Sequence, residues 1–116
     1  MNNLQIRLID FAVEISQVAK ELKQDLLLID CLKQIVRSST SAGANYSESQ
    51  SANSNKDFHN KIRIALKELK ETNYWLEYLQ RMRPENIRIP GLINESIELM
   101  KIMGTISKKT DPNRKT

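Results

Sequence analysis

Glycine and proline are scarce in this chain, three of each among 116 residues, and neither is spread as turn punctuation. A β-sandwich of this length needs turn signals every ~8–12 residues. Their absence excludes that class and leaves long helices. Cysteine is nearly missing too. Cys31 stands alone, so no intramolecular disulfide can form, and its place in the apolar run 26–32 predicts a small core residue rather than a nucleophile. His59 is the single histidine. It sits beside Phe58 near the start of a helical pattern, where it is expected on a flank rather than in the core. One histidine and one distant cysteine cannot supply a zinc centre, and a di-iron bundle needs two Glu-x-x-His pairs that do not occur. There is no Gly-rich phosphate loop, and no Ser or Cys nucleophile with a histidine base nearby. No apolar run approaches the ~20 residues that cross a bilayer, and Met1-Asn2-Asn3 lacks the basic and apolar regions of a signal peptide. These absences predict a soluble cytoplasmic protein that is not an enzyme, with no cofactor, no metal, no small-molecule substrate and no membrane partner.

What the chain does contain is enough apolar residue, 40%, for one packed core, and enough charge, 28%, to keep it soluble. The formal charge is +4 and the pI about 9.3, which invites a nucleic-acid reading. Lys108, Lys109, Arg114 and Lys115 against Asp111 supply +3 of that charge, leaving +1 on the first 107 residues. The basicity is mostly a tail.

The apolar residues recur at helical spacing. Leu4, Leu8, Phe11, Ile15, Val18 and Leu22 alternate four and three apart, the seam of a bundle helix over 3–22. Ile6, Ile9, Val13 and Ala19 broaden that stripe, so this helix is expected to touch more than one neighbour. A second helix over about 26–49 follows a break at Gln24-Asp25, with Asp25 as its cap. It contains seven small residues in a row, Ser38-Ser39-Thr40-Ser41-Ala42-Gly43-Ala44. Helical patterns bracket them closely, so they read as helix whose small side chains admit a neighbouring backbone. Gly43 costs ~1 kcal/mol against alanine there and implies a packing reason or a kink. Asn53-Ser54-Asn55 is the clearest turn, and Ser54 with Asp57 resembles a capping box. The third helix, 55–82, keeps its seam through Phe58, Ile62, Ala65, Leu69, Thr72, Leu76 and Leu79 without a slip. A fourth, about 91–107, follows the irregular segment 84–91. The fold class expected is all-α, an antiparallel up-down-up-down four-helix bundle over 1–107, with 108–116 a basic, disordered tail.

Polar residues inside apolar stretches are the candidate site. Arg37, Asn45 and Glu48 lie on the second helix, Glu68 and Glu71 on the third. Asn45 and Glu48, three apart, share a face. One reading is a structural network pairing Arg37 with a third-helix glutamate and fixing register; the other is a partner-binding patch. Candidate nucleic-acid contacts are Lys61, Arg63, Lys67 and Lys70 on the third helix, with Lys108 and Lys109.

The segment Arg37-Ser38-Ser39-Thr40-Ser41-Ala42-Gly43-Ala44-Asn45-Tyr46-Ser47-Glu48 resembles the second-helix signature of the four helix bundle protein family. That family includes proteins encoded by intervening sequences of bacterial 23S ribosomal RNA genes, often labelled S23, and the accessory variability determinant of diversity-generating retroelements. Ile64-Ala65-Leu66-Lys67-Glu68-Leu69-Lys70-Glu71-Thr72-Asn73-Tyr74-Trp75-Leu76-Glu77 is similar to the family's second signature, and the resemblance covers nearly the whole chain. It implies a left-handed antiparallel bundle assembling as a homopentamer around a central pore. For the retroelement branch it also implies binding to a reverse transcriptase and to nucleic acid. Those members are typically more basic over their bodies than this chain, so the general branch is the expected assignment. The function expected is an oligomeric interaction module. The alternative is an accessory protein that binds RNA or DNA.

Overall fold

A computed structural model describes residues 1–114. They form four long helices, α1 (Asn3–Leu22), α2 (Ile29–Ser49), α3 (Asn55–Met82) and α4 (Ile89–Thr110), with a single 3-10 turn, Leu26–Leu28, leading into α2. Antiparallel order is legible from cross-helix pairs. Moving up α2, Asp25 just before it meets Arg83, Cys31 meets Trp75, Arg37 meets Glu68 and Glu71, and Glu48 meets Lys61. Between α1 and α2, Asn2 reaches Tyr46; between α3 and α4, Asn73 reaches Ser96 and Asn55 reaches Thr110. Arg88 closes the circuit from the start of α4 onto Glu21 near the end of α1. The result is an up-down-up-down rod of 48 × 23 × 23 Å. The α2–α3 and α3–α4 seams are the most extensive, and α1 meets α4 only thinly.

Local chemistry sets the ends. Asn2 Oδ1 accepts from the Gln5 amide at 2.8 Å while Gln5 Oε1 accepts from the Asn2 amide at 2.9 Å, a reciprocal cap on α1. At α3, Ser54 Oγ accepts from the Asp57 amide, but the return bond comes from Asn53 rather than from Ser54, so the expected box is half formed. The expected single second helix is split: Asp25 accepts from the Leu27 amide and holds the tight 3-10 turn before α2 proper. The fourth helix is longer than its sequence pattern. Asn86 Oδ1 accepts from the amides of Arg88 and Ile89, and Pro90 fits the first turn, where no amide donor is needed. At the far end Asn55 Nδ2 donates to the Thr110 carbonyl at 2.9 Å. This side-chain cap carries the helix through Lys108 and Lys109, which are helical rather than part of a disordered tail. Of the rest of that expected tail, Lys115 and Thr116 lie outside the described residues.

The six seam residues of α1 point inward, five of them buried and Leu4 half-buried; on α3 the seam is buried from Ile62 onward. Cys31 is buried as expected, and desolvation pushes its thiol up to about 11. His59 departs from expectation. It is buried against the last turn of α4, its Nδ1 3.3 Å from Thr110 Oγ1. The small-residue run is helical, with Ser38, Ser39 and Ala42 buried. The helix runs unbroken through Gly43, and packing does not demand glycine there. A Cβ there would meet the Leu8 Cβ at 3.6 Å, an ordinary contact.

Candidate functional site

The five candidate polar residues fall into separate groups. Arg37 joins both third-helix glutamates. Its Nη1 lies 3.0 Å from Glu68 Oε2, its Nη2 bonds Glu71 Oε2, and its Nε donates to Gln34 at 3.1 Å. Trp75 Nε1 donates to the same Glu71 oxygen at 3.2 Å. Facing Arg37 and accepting a hydrogen bond from the indole N–H, Glu71 is held below the ordinary carboxylate range, and Arg37 is correspondingly raised. Glu68 is nearly buried at 11% side-chain exposure, so Arg37 chiefly satisfies a carboxylate that the α2–α3 seam has taken out of water. Beneath it, Thr72 donates to the Glu68 carbonyl at 2.8 Å and Ser38 Oγ lies 2.7 Å from Thr72 Oγ1. This is the structural pairing expected for Arg37. Glu48 stands apart and pairs with Lys61 at 2.8 Å. Asn45 joins neither group; its amide bonds the Ser41 carbonyl and hydroxyl within its own helix.

The six candidate cations also divide. Lys61 is engaged by Glu48. Arg63, Lys67 and Lys70 line one shallow groove with Asn60 and Ser107, and Arg63 continues into a second with Lys56 and His59. Among the described residues, Lys56, Arg63, Lys67 and Lys70 make no ion pair, and all four are exposed. Lys108 and Lys109 are exposed in the last turn of α4, where they complement its negative end.

Two further surfaces lie outside the candidate residues. On α1, Ile6, Ile9 and Val13 are 45%, 46% and 49% exposed. Ile9 and Val13 border an open apolar groove between α1 and α2 whose α2 wall is Ser39, Thr40, Gly43 and Ala44. A second open groove, sharing Ser16 and Lys20, extends it along the same two helices past Ala19, Leu32 and Val36. The sequence signal was present in the extra apolar positions of α1, but periodicity alone could not say which neighbour would cover them. On α3, Tyr74, Trp75 and Tyr78 stack edge to face, with centroids 5.0 and 6.1 Å apart, and Tyr74 is 61% exposed.

The sequence model of the family described as 23S rRNA-intervening sequence protein matches residues 4–105, all four helices. The chain belongs to that family. Its fold is similar to that of a crystallised protein from Bacteroides thetaiotaomicron, described as of unknown function and from the S23 ribosomal protein family. The two share 40% identity over 90% of this chain and 98% of the other, with a TM-score of 0.82. No curated protein matches. The helices α2 and α3, which carry the two resembling segments, are the pair that packs most extensively. Among the described residues no helix is long and apolar enough to cross a membrane.

Proposed function

We propose that this member of the family acts, without catalysis of its own, as a self-associating interaction module in the cytoplasm. The observation that carries the reading is the exposed row Ile6, Ile9 and Val13 beside the apolar groove of α1 and α2. A contiguous apolar surface of this kind on a charged, soluble chain marks a contact site. The breadth of the apolar pattern on α1 supports it independently, since one four-helix bundle covers a single stripe of each helix. The resemblance of the α2 and α3 segments supports a ring of five copies. Sedimentation velocity and multi-angle light scattering at micromolar concentration test this. A higher oligomer is expected, and a monomer would remove the reading.

A second reading has its own observation. Lys56, Arg63, Lys67 and Lys70 recur along one outward face of α3 without an ion pair among the described residues, and three of them share a groove. Such a row suits the phosphates of RNA or DNA, and Tyr74 further along the helix could stack a base. A reverse transcriptase bound to that nucleic acid would be the protein partner under this reading. Fluorescence anisotropy against single- and double-stranded RNA and DNA, from 50 to about 200 mM salt, is the test. Binding that weakens steeply with salt, and drops in Arg63→Ala/Lys67→Ala, is expected. A flat titration would discard it.

A further inference from the structure

The charges of α1 are sorted by flank. Glu14 and Glu21 turn toward α4, where Arg88 meets both. Lys20 and Lys23 turn the other way and line the α1–α2 groove as it nears the 3-10 turn, with Lys33 on the α2 wall. All three lysines are exposed, and none makes an ion pair among the described residues. No acidic residue among the described ones lines either stretch of the groove; Asp30, one turn before Lys33, lies outside the lining. Between the cations the floor is aliphatic, built from Ala19 of α1 and Ile29, Leu32 and Val36. Leu26 and Leu27, 82% and 75% exposed, stand on the turn that joins the two walls. That turn is pinned: Asp25 accepts from the Leu27 amide at 3.0 Å and from Arg83 Nη2 at 3.2 Å.

We propose that this lysine-rimmed end of the groove docks a short acidic amphipathic helix from a different, partner protein. Its aliphatic residues lie on Ala19, Leu32 and Val36, and its glutamates or aspartates face Lys20, Lys23 and Lys33. Charge selects the acidic partner. Like charges around an apolar strip, with no acid among them, attract the opposite sign and reject their own. Shape selects a helix. Both walls are helices whose backbone amides are spent internally, so a strand finds no edge to pair with, whereas a helix needs only side-chain contact. Ser16 to Lys23 on one wall and Ile29 to Val36 on the other each rise ~10 Å, the reach of one i, i+3, i+7 triad. A nucleic acid suits the place poorly: its phosphates leave the aliphatic floor uncovered, and no aromatic side chain lines the groove to stack a base. The inference goes beyond self-association and does not depend on it, since that reading rests on Ile6, Ile9 and Val13 farther along α1.

A labelled synthetic helix of about 14 residues, with a leucine triad flanked by glutamates, is the probe, titrated onto the full chain by fluorescence anisotropy. Two further peptides carry lysine in place of glutamate, or serine in place of leucine. The acidic leucine peptide alone is expected to bind, and to shift the amide resonances of Ala19, Leu32 and Val36. Lys20→Glu/Lys33→Glu is expected to weaken it by about tenfold or more, whereas Lys67→Glu/Lys70→Glu, the same charge change on α3, leaves it within about twofold. All four lysines are exposed, and circular dichroism checks that both variants fold. Equal weakening by both pairs, or equal binding of the serine peptide, would reduce the effect to bulk charge and overturn the site. No binding up to about 1 mM peptide would overturn it too. Tighter binding to phosphatidylserine vesicles than to the peptide would give the groove to a lipid surface. A fall in the mass of the assembly on Lys20→Glu/Lys33→Glu would give it to a second copy; either result overturns the partner helix. A monomeric wild type that binds the acidic peptide would keep this inference and remove the self-association reading.

Discussion

Along the α2–α3 seam several polar side chains find partners on the facing helix. Ser38 meets Thr72, Arg37 bridges Glu68 and Glu71, and the Cys31 thiol lies 3.9 Å from the Trp75 carbonyl. Along the α1–α2 side the helices share fewer contacts, an apolar groove stays open, and Ile6, Ile9 and Val13 face outward. Both sides are built from the same kinds of helical stripe. The difference lies in what the monomer can cover: α3 is flanked by α2 and α4 over its length, whereas α1 has α2 and only a thin contact with α4. A protein arranged this way has one side that holds the fold and another that is free to be used.

The largest test of that contrast is truncation on each side. Leu69 is fully buried, and Leu69→Ala should cost about 3 kcal/mol in urea unfolding through lost burial and a cavity. Ile9→Ala, on the open row, should change intrinsic stability by less than about 0.5 kcal/mol when measured at dilution. Equal losses would break the distinction. The next effect in size comes from the buried hydroxyls. Thr72→Val leaves Ser38 with only a long 3.4 Å bond to the Ile35 carbonyl, at a cost of about 1–2 kcal/mol, and adding Ser38→Ala should recover part of it.

Third is Arg37→Met, which should cost about 1 kcal/mol near neutral pH, a modest figure because Arg37 is half exposed and screened by solvent. Arg37 lowers Glu71 below its ordinary 4.5. The stabilisation is therefore complete above that value and is lost as pH falls through the lower folded-state value. Wild type and variant should converge in acid; a gap that persists there would assign Arg37 a packing role instead. Smaller and of opposite sign, Gly43→Ala should raise stability by up to about 1 kcal/mol, since a methyl finds ordinary contact with Leu8 and alanine favours helix. Destabilisation would mean that α1 sits closer to α2 than 3.6 Å implies. Last, Glu48→Gln should leave the urea midpoint unchanged, because its pair with Lys61 is open to water.

Much of the fold was legible from residue spacing. The bounds of α1 and α3 follow from unbroken four–three alternation, a local property. The bounds of α4 were not legible. Its start depends on Asn86 accepting two amides, and its end depends on Asn55 and His59, some fifty residues away in sequence. The neighbours of His59 in sequence point to a flank and carry no sign that the last turn of α4 covers it. The candidate polar set was half legible. Arg37 with Glu68 and Glu71 follows from an antiparallel register, but Glu48 and Asn45 share a face with each other without sharing a partner.

The sequence by itself determined that the chain is helical, that it forms one core without an intramolecular disulfide, and which stripe of each helix turns inward. Those are consequences of residue type and spacing, which act over a few residues. Only the tertiary structure decided which helices pack closely and which barely meet. With that it decided which apolar residues stay outside: Ile6 and Val13 extend the apolar pattern of α1, and become a surface because no further helix covers them.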